Sequence, residues 1–196
     1  MGKIFLLMGK SASGKDAVYR NLLQDETLGL KKIVMYTTRP MRQKEENGKQ
    51  YFFVEEKDYQ EKEAAGKIIE KRDYHTQLGL WRYFTADDGQ IDLAVGNYLM
   101  IGTVEAYVSM REYFGAENVV PLLIDTDDGI RLERALKRER RQEVPRYDEM
   151  CRRYLADTAD YAPEKLAAAG IETLFDNNDS IEDCIAEVSD CIRRQI

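Results

Sequence analysis

The ten residues MGKSASGKDA, Met8 to Ala17, constrain the fold of this chain more than any other stretch. Gly9, Gly14 and Lys15 stand at the spacing G-x-x-x-x-G-K. The apolar run Ile4–Met8 precedes them and the helix-like stretch Lys15–Gln24 follows. Glycines at these places let consecutive backbone N–H groups wrap a phosphate without a side-chain clash. The helix that follows adds the partial positive charge of its N-terminus. Strand, loop and helix in this order point to a nucleoside triphosphate site. Its candidate residues are Gly9, Lys10, Ser11, Ala12, Ser13, Gly14, Lys15 and Asp16, with Lys15 as the point charge on the terminal phosphates. Asp16 stands where such loops usually carry a hydroxyl. It is read either as a Mg²⁺ ligand, directly or through water, or as a cap on the helix.

The rest of the chain agrees with a parallel α/β sheet. Short apolar runs at Ile4–Met8, Lys32–Tyr36, Asn97–Gly102, Val119–Ile124 and Ile171–Phe175 read as strands. Helices are expected near Lys15–Gln24, Val104–Tyr113, Asp128–Arg141, Tyr147–Ala159 and Ser180–Arg194. Thr37 to about Thr85 breaks this alternation. QYFFV, GKIIEKRDY and WRYFT look like short strands, and EEKDYQEKEAAG looks like a helix ending at Gly66. This small α+β insertion should rise at the carboxyl ends of the strands, where open α/β sheets bind ligands.

Composition excludes several classes. A formal charge of −7 argues against a general nucleic-acid binder. No apolar run approaches the roughly 20 residues that cross a bilayer. Cys151, Cys184 and Cys191 have no metal-ligand spacing, and the N-terminus lacks the pattern of a signal peptide. The expectation is a cytoplasmic protein, monomer or homodimer, with no membrane and no nucleic-acid polymer among its partners.

TTRPMRQKEENGKQY, Thr37 to Tyr51, offers a second anion site. Arg39 and Arg42 are two guanidinium forks beside two threonine hydroxyls, and Asn47-Gly48 is a turn that would fold Tyr51 back towards them. Further on, Arg134, Lys137, Arg138 and Arg141 share one helix face in an otherwise acidic chain, either a solvated face or a set of cations for phosphoryl transfer.

The Thr37–Tyr51 stretch resembles the acceptor-phosphate segment of guanylate kinases, T-T-R-x-x-R-x-x-E-x-N-G-x-x-Y, through Thr37, Thr38, Arg39, Arg42, Glu45, Asn47, Gly48 and Tyr51. The resemblance implies the three-layer P-loop NTPase fold with a parallel sheet. The core would be 1–36 and 86–196, with a helical lid at about 137–153 and an inserted monophosphate-binding lobe at 37–85. It implies ATP with Mg²⁺ as donor and a small phosphorylated acceptor, most simply GMP. Arg39, Arg42, Tyr51, Tyr83 and Thr85 would hold the acceptor, and Glu70 would read the guanine edge. Arg39, Arg134, Arg138 and Arg153 would join Lys15 in catalysis, and Asn177 would lie near the adenine.

Three positions depart from the family's pattern. Met35 replaces a base-reading serine, Phe84 follows Tyr83 in place of glycine, and Gly102 or a neighbour replaces a strand-end aspartate. Extra residues including Trp81 and the lone His75 separate Glu70 from Tyr83. Ribose bisphosphate kinases are a second resemblance, because their loops end in G-K-D as here. A non-catalytic guanylate kinase-like binding module is a third alternative, set against the intact loop.

Overall fold

The computed structural model describes residues 1–76 and 79–196. Strand β1 (Ile4–Met8) is wholly buried and forms the centre of a five-stranded sheet. Its neighbours are β7 (Asn97–Ile101) and β8 (Val119–Asp125), with β2 (Leu30–Lys32) and β9 (Leu174–Asp176) at the edges. All four pairings are parallel, so the carboxyl ends of the strands lie on one side.

Alternation along β1 sets the layers, because successive side chains point to opposite faces. Ile4, Leu6 and Met8 pack with Met100, Tyr107 and Met110 on one face. Phe5 and Leu7 pack with Val18, Leu22, Val188 and Ile192 on the other. Helix α3 (Val104–Phe114) covers the first face, with α6 (Pro163–Ala169) beside it; α1 (Lys15–Gln24) and α7 (Ile181–Arg193) cover the second. Burying Leu or Phe in this way contributes about 1.5–3 kcal/mol per side chain. This is the three-layer P-loop architecture that the loop and the alternation predict.

A four-stranded sheet carries the insertion, in the order β4 (Phe52–Phe53), β3 (Tyr36–Thr37), β6 (Gly79–Ala86) and β5 (Ile68–Thr76). Helix α2 (Glu56–Ala64) packs on it through Tyr59, which is buried edge-on against Phe84 at 5.1 Å. The β5–β6 hairpin is longer than the short strands expected from the sequence.

Three expectations need correcting. The run Lys32–Tyr36 is not one strand: the chain leaves the first sheet at Lys32 and enters the second at Tyr36. Between them Ile33 N–H donates to the Leu99 carbonyl and Val34 N–H to Gln90 Oε1, so the crossing keeps its backbone hydrogen bonds. The last strand lies at Leu174–Asp176, because Gly170 and Ile171 close the preceding helix instead of starting a strand. Helix α4 (Asp128–Glu139) stops short of Arg141, the stretch 140–146 is exposed, and α5 (Tyr147–Asp160) begins beyond it.

Candidate active site

The loop after β1 is held in shape from beneath. Gly14 caps α1 with φ +90°, and a Cβ there would sit 2.2 Å from Asn177 Nδ2, so only glycine fits. Ala12 is also left-handed, with φ +63°. Asn177 is buried, and its Nδ2 donates to the Ser13 carbonyl at 2.6 Å. It braces the loop from behind and does not line the cleft described below. Ser13 is wholly buried too.

Above the loop stands an ion network absent from the expected site. Arg131 on α4 is fully buried. Its Nε donates to the Ser11 carbonyl at 3.0 Å and its Nη2 to Asp157 Oδ2 at 2.8 Å, and Nη1 pairs with Asp128. Asp157 on α5 also accepts the Ser11 N–H at 2.8 Å, and Lys10 pairs with Asp128. Tyr161 O–H lies 3.2 Å from the Gly9 N–H, and burial pushes its phenol up to about 12. The sequence singles out neither residue: Arg131 lies one turn before the basic face that begins at Arg134, and Asp157 belongs to no motif.

A cleft of about 540 Å³ runs from this loop to the second sheet. Gly9, Ser11 and Lys15 line one end; Arg42, Tyr51 and Tyr83 line the other. Burial lowers the Lys15 pKa, opposed by Asp16 and Asp157 and reinforced by Arg138 and Arg131. The turn at Asn47-Gly48 folds Tyr51 inwards: Gly48 N–H donates to the Tyr51 carbonyl at 2.9 Å. The Tyr51 ring meets Tyr83 edge-on at 5.4 Å.

Other residues of the expected acceptor site lie behind the cleft wall. Arg39 is buried, its guanidinium held by Glu45 at 2.7 and 2.9 Å and its Nε donating to the Tyr83 hydroxyl at 3.1 Å. The Thr37 hydroxyl donates to the Arg82 carbonyl and the Thr38 hydroxyl accepts from the Arg82 N–H, so both clasp β3 to β6 rather than facing an anion. Glu70 is buried with its Oε1 accepting from the Thr85 hydroxyl at 2.9 Å, and neither residue lines the cleft. Burial raises the Glu70 pKa against the pull of Arg72 and Thr85. The sequence reading missed Arg72, Tyr74 and Thr103, which do line it.

Among the basic residues, Arg153 lines the cleft with Arg152, both held by Glu149. Arg134 is part-buried, with Nη2 3.4 Å from the Asn178 carbonyl, and Arg138 is exposed. At the end of β7, Gly102 is tightly packed: a Cβ would lie 3.0 Å from Leu6 Cδ2 and 3.2 Å from Ala106 Cβ, so those side chains would have to give by a few tenths of an ångström. Thr103 beside it caps α3 by accepting the Ala106 N–H.

Fold and loop together define a P-loop α/β protein with a second sheet inserted beside its phosphate loop. Residues 1–79 match the sequence model of the guanylate kinase family. Guanylate kinase of Nitrosomonas europaea is 37% identical over 78 residues, 40% of this chain and 38% of that protein. Guanylate kinase of Mycoplasma mobile is 30% identical over 122 residues, 61% of this chain and 58% of that protein. The chain thus matches about two fifths to three fifths of the length of these relatives. The crystal structure of guanylate kinase from Anaplasma phagocytophilum superposes with a TM-score of 0.64 at 22% identity, covering 99% of this chain and 86% of that one. The chain is thus similar to guanylate kinases in sequence over its first 79 residues, and shares the fold of one over nearly its whole length. Among the described residues, no helix is long and apolar enough to cross a membrane.

Proposed function

We propose that this chain transfers the terminal phosphoryl group of ATP to a nucleoside monophosphate, with GMP as the acceptor and GDP and ADP as products, in the cytoplasm. One observation carries this: a single cleft has the loop with Lys15 at one end and Arg42, Tyr51 and Tyr83 at the other. Phosphoryl transfer needs little covalent help from a protein, and positioning plus cations account for most of it. Residues 1–36 and 86–196 would bind ATP, 37–85 would present the acceptor, and the segment around 137–153 would close over both.

In this reading Lys15 neutralises charge on the transferring group, and Arg152 and Arg153 approach it from α5. Arg138 lies within electrostatic reach of Lys15 and would move in with the lid. Arg42 binds the acceptor phosphate, whereas Arg39 positions Tyr83 through its Nε and stiffens the wall through Glu45.

Asp16 suits Mg²⁺: it is exposed in the first turn of α1, Gly14 is the cap, and no side-chain hydrogen bond caps the helix. Among the described residues no cluster of three His, Cys, Asp or Glu side chains could hold a metal alone, so Asp16 would share the ion with the nucleotide phosphates. Mg²⁺ when bound would offset charge on the terminal phosphates. Asp16→Ser should weaken the Mg²⁺ dependence of ATP binding in calorimetry and lower turnover about tenfold or more. Unchanged Mg²⁺ dependence would remove the metal role.

Coupled turnover of ATP with GMP, dGMP, AMP, UMP and ribose bisphosphate tests the whole reading. GMP and dGMP should lead. Turnover of ribose bisphosphate without GMP would transfer the assignment to a sugar phosphate kinase.

A further inference from the structure

Arg72 belongs to none of the motifs that point to phosphoryl transfer, yet it faces the acceptor end of the cleft. The β5–β6 hairpin pairs Glu70 with Thr85, Arg72 with Tyr83, and Tyr74 with Trp81. Residues two apart on a strand share a face. One face therefore runs from a buried carboxylate, through a guanidinium, to aromatic rings at the mouth. The last two pairs line the cleft and the first does not.

The guanidinium is poorly matched by its protein neighbours. Its Nε is 3.5 Å from Glu70 Oε2, close enough for an ion pair but without hydrogen-bond alignment. Both atoms are buried and have no hydrogen-bond partner among the described residues. Among the described residues Nη2 meets only the Met35 thioether, a weak acceptor, at 3.5 Å. Desolvated donors left in this state mark a place where a ligand completes the pairing.

The surroundings say what kind of ligand fits. Tyr74 stands perpendicular to Tyr83 with ring centroids 5.5 Å apart, and Trp81 adjoins them, so the pocket favours a flat heterocycle. A guanidinium fork matches two adjacent acceptors in one plane, as the O6 and N7 of a 6-oxopurine provide. Adenine presents an amino donor where O6 would be, which leaves an arginine donor facing a donor.

We propose that Arg72 is the base-reading residue, recognising the O6/N7 edge of a 6-oxopurine monophosphate while Glu70 holds it from behind. This rests on the nucleoside monophosphate reading above. Glu70 is withdrawn from the cleft, and the carboxylates that do line it are paired, Glu149 with Arg152 and Arg153, Asp157 with Arg131 and Asp160 with Lys165, so among the described residues none is left free for the 2-amino group. Inosine monophosphate is therefore accepted almost as well as GMP.

The test uses the full chain, with kcat/KM and calorimetric affinity measured for GMP, IMP and AMP. In the unaltered protein IMP should fall within about threefold of GMP, and AMP about ten- to a hundredfold below both. Arg72→Ala should close the gap between GMP and AMP while ATP affinity is unchanged. Arg72→Lys keeps a charge against Glu70 if the alanine variant does not fold, and should narrow the same gap because the fork is gone. A purely structural arginine would lower all three acceptors together, and that result would overturn the proposal. So would IMP falling more than about tenfold below GMP while Arg72→Lys keeps the original selectivity, which would return base reading to Glu70. If the unaltered protein binds and phosphorylates no purine monophosphate, the underlying kinase reading fails before any variant is made.

Discussion

The two ends of the cleft are built from different materials. At the loop end the main chain itself forms the cradle, shaped by Gly14, Asn177 and the buried Arg131–Asp157 pair, with the Gly9, Ser11 and Ser13 N–H groups held by Tyr161, Asp157 and the Lys10 carbonyl. At the acceptor end side chains form the surface, and several motif residues have turned inwards: Arg39 to Glu45, Glu70 to Thr85. A backbone cradle tolerates few residues at its glycines and can be read from spacing. A side-chain surface can keep its motif and change what it shows to a ligand. The loop end defines the chemistry, and the acceptor end defines the substrate.

Lys15→Met should have the largest effect, since it removes the cleft-lining charge of the loop while nearly keeping its volume. Turnover should fall by about a thousandfold, near 4 kcal/mol in the barrier, with the circular dichroism spectrum unchanged. Activity close to the unaltered level would mean the two ends do not cooperate in phosphoryl transfer.

Arg131→Met comes next and separates stability from chemistry. Removing a fully buried guanidinium leaves Asp157 uncompensated against the Ser11 N–H. The loss should be about 3–5 kcal/mol in urea unfolding. A loss below 1 kcal/mol would show that the loop end stands without its ion network.

At the other end, Arg42→Ala should weaken acceptor binding by about 2–3 kcal/mol and leave ATP affinity nearly unaltered. Separate calorimetric titrations check this, and equal losses for both nucleotides would dissolve the distinction between the ends.

The smallest effect concerns Glu149, which holds the two cleft-lining arginines of α5. Hydrogen bonds from Arg152, then burial in opposition and hydrogen bonds from Arg153, leave its carboxyl at about 2, below its ordinary 4.5. A depressed carboxylate pKa contributes stability above the ordinary value, lost as pH falls towards the folded one. Both arginines are well exposed, so solvent screening limits the gain to about 1 kcal/mol or less. The stability advantage over Glu149→Gln should be full well above pH 4.5 and be lost as pH falls through about 2. An advantage that persists well below pH 2 would assign it to packing rather than to the ion pairs.

These differences explain what could be read in advance. The helix after the loop and the central strand were legible to the residue, because IFLLM is apolar on both faces and Gly14-Lys15 marks a helix start. The crossing between sheets was not legible, since an apolar run carries no sign of which sheet receives its hydrogen bonds. Helix α6 was missed although Pro163 opens it and Gly170 closes it in a left-handed cap, the usual pair of signals for a short helix. In the site, Lys15, Arg42, Tyr51 and Tyr83 reach the cleft as their motifs suggest. Arg39 and Glu70 do not, because a motif specifies residue types and not which way a buried ion pair turns them. Arg72 lay outside any motif and emerged only through its strand partners.

The crowding at Gly102 has a consequence for how this sequence can change. A Cβ there would press on Leu6, which is itself wholly buried in the central strand. An acidic side chain at position 102 would therefore require Leu6 and Ala106 to give by a few tenths of an ångström, or a smaller residue at position 6. The second route opens a cavity costing about 2–5 kcal/mol if it is leucine to alanine. The carboxylate at Asp16 is exposed and meets no such barrier. For this chain, an acidic group beside the phosphates is mutationally easy to keep in the loop and harder to place at residue 102.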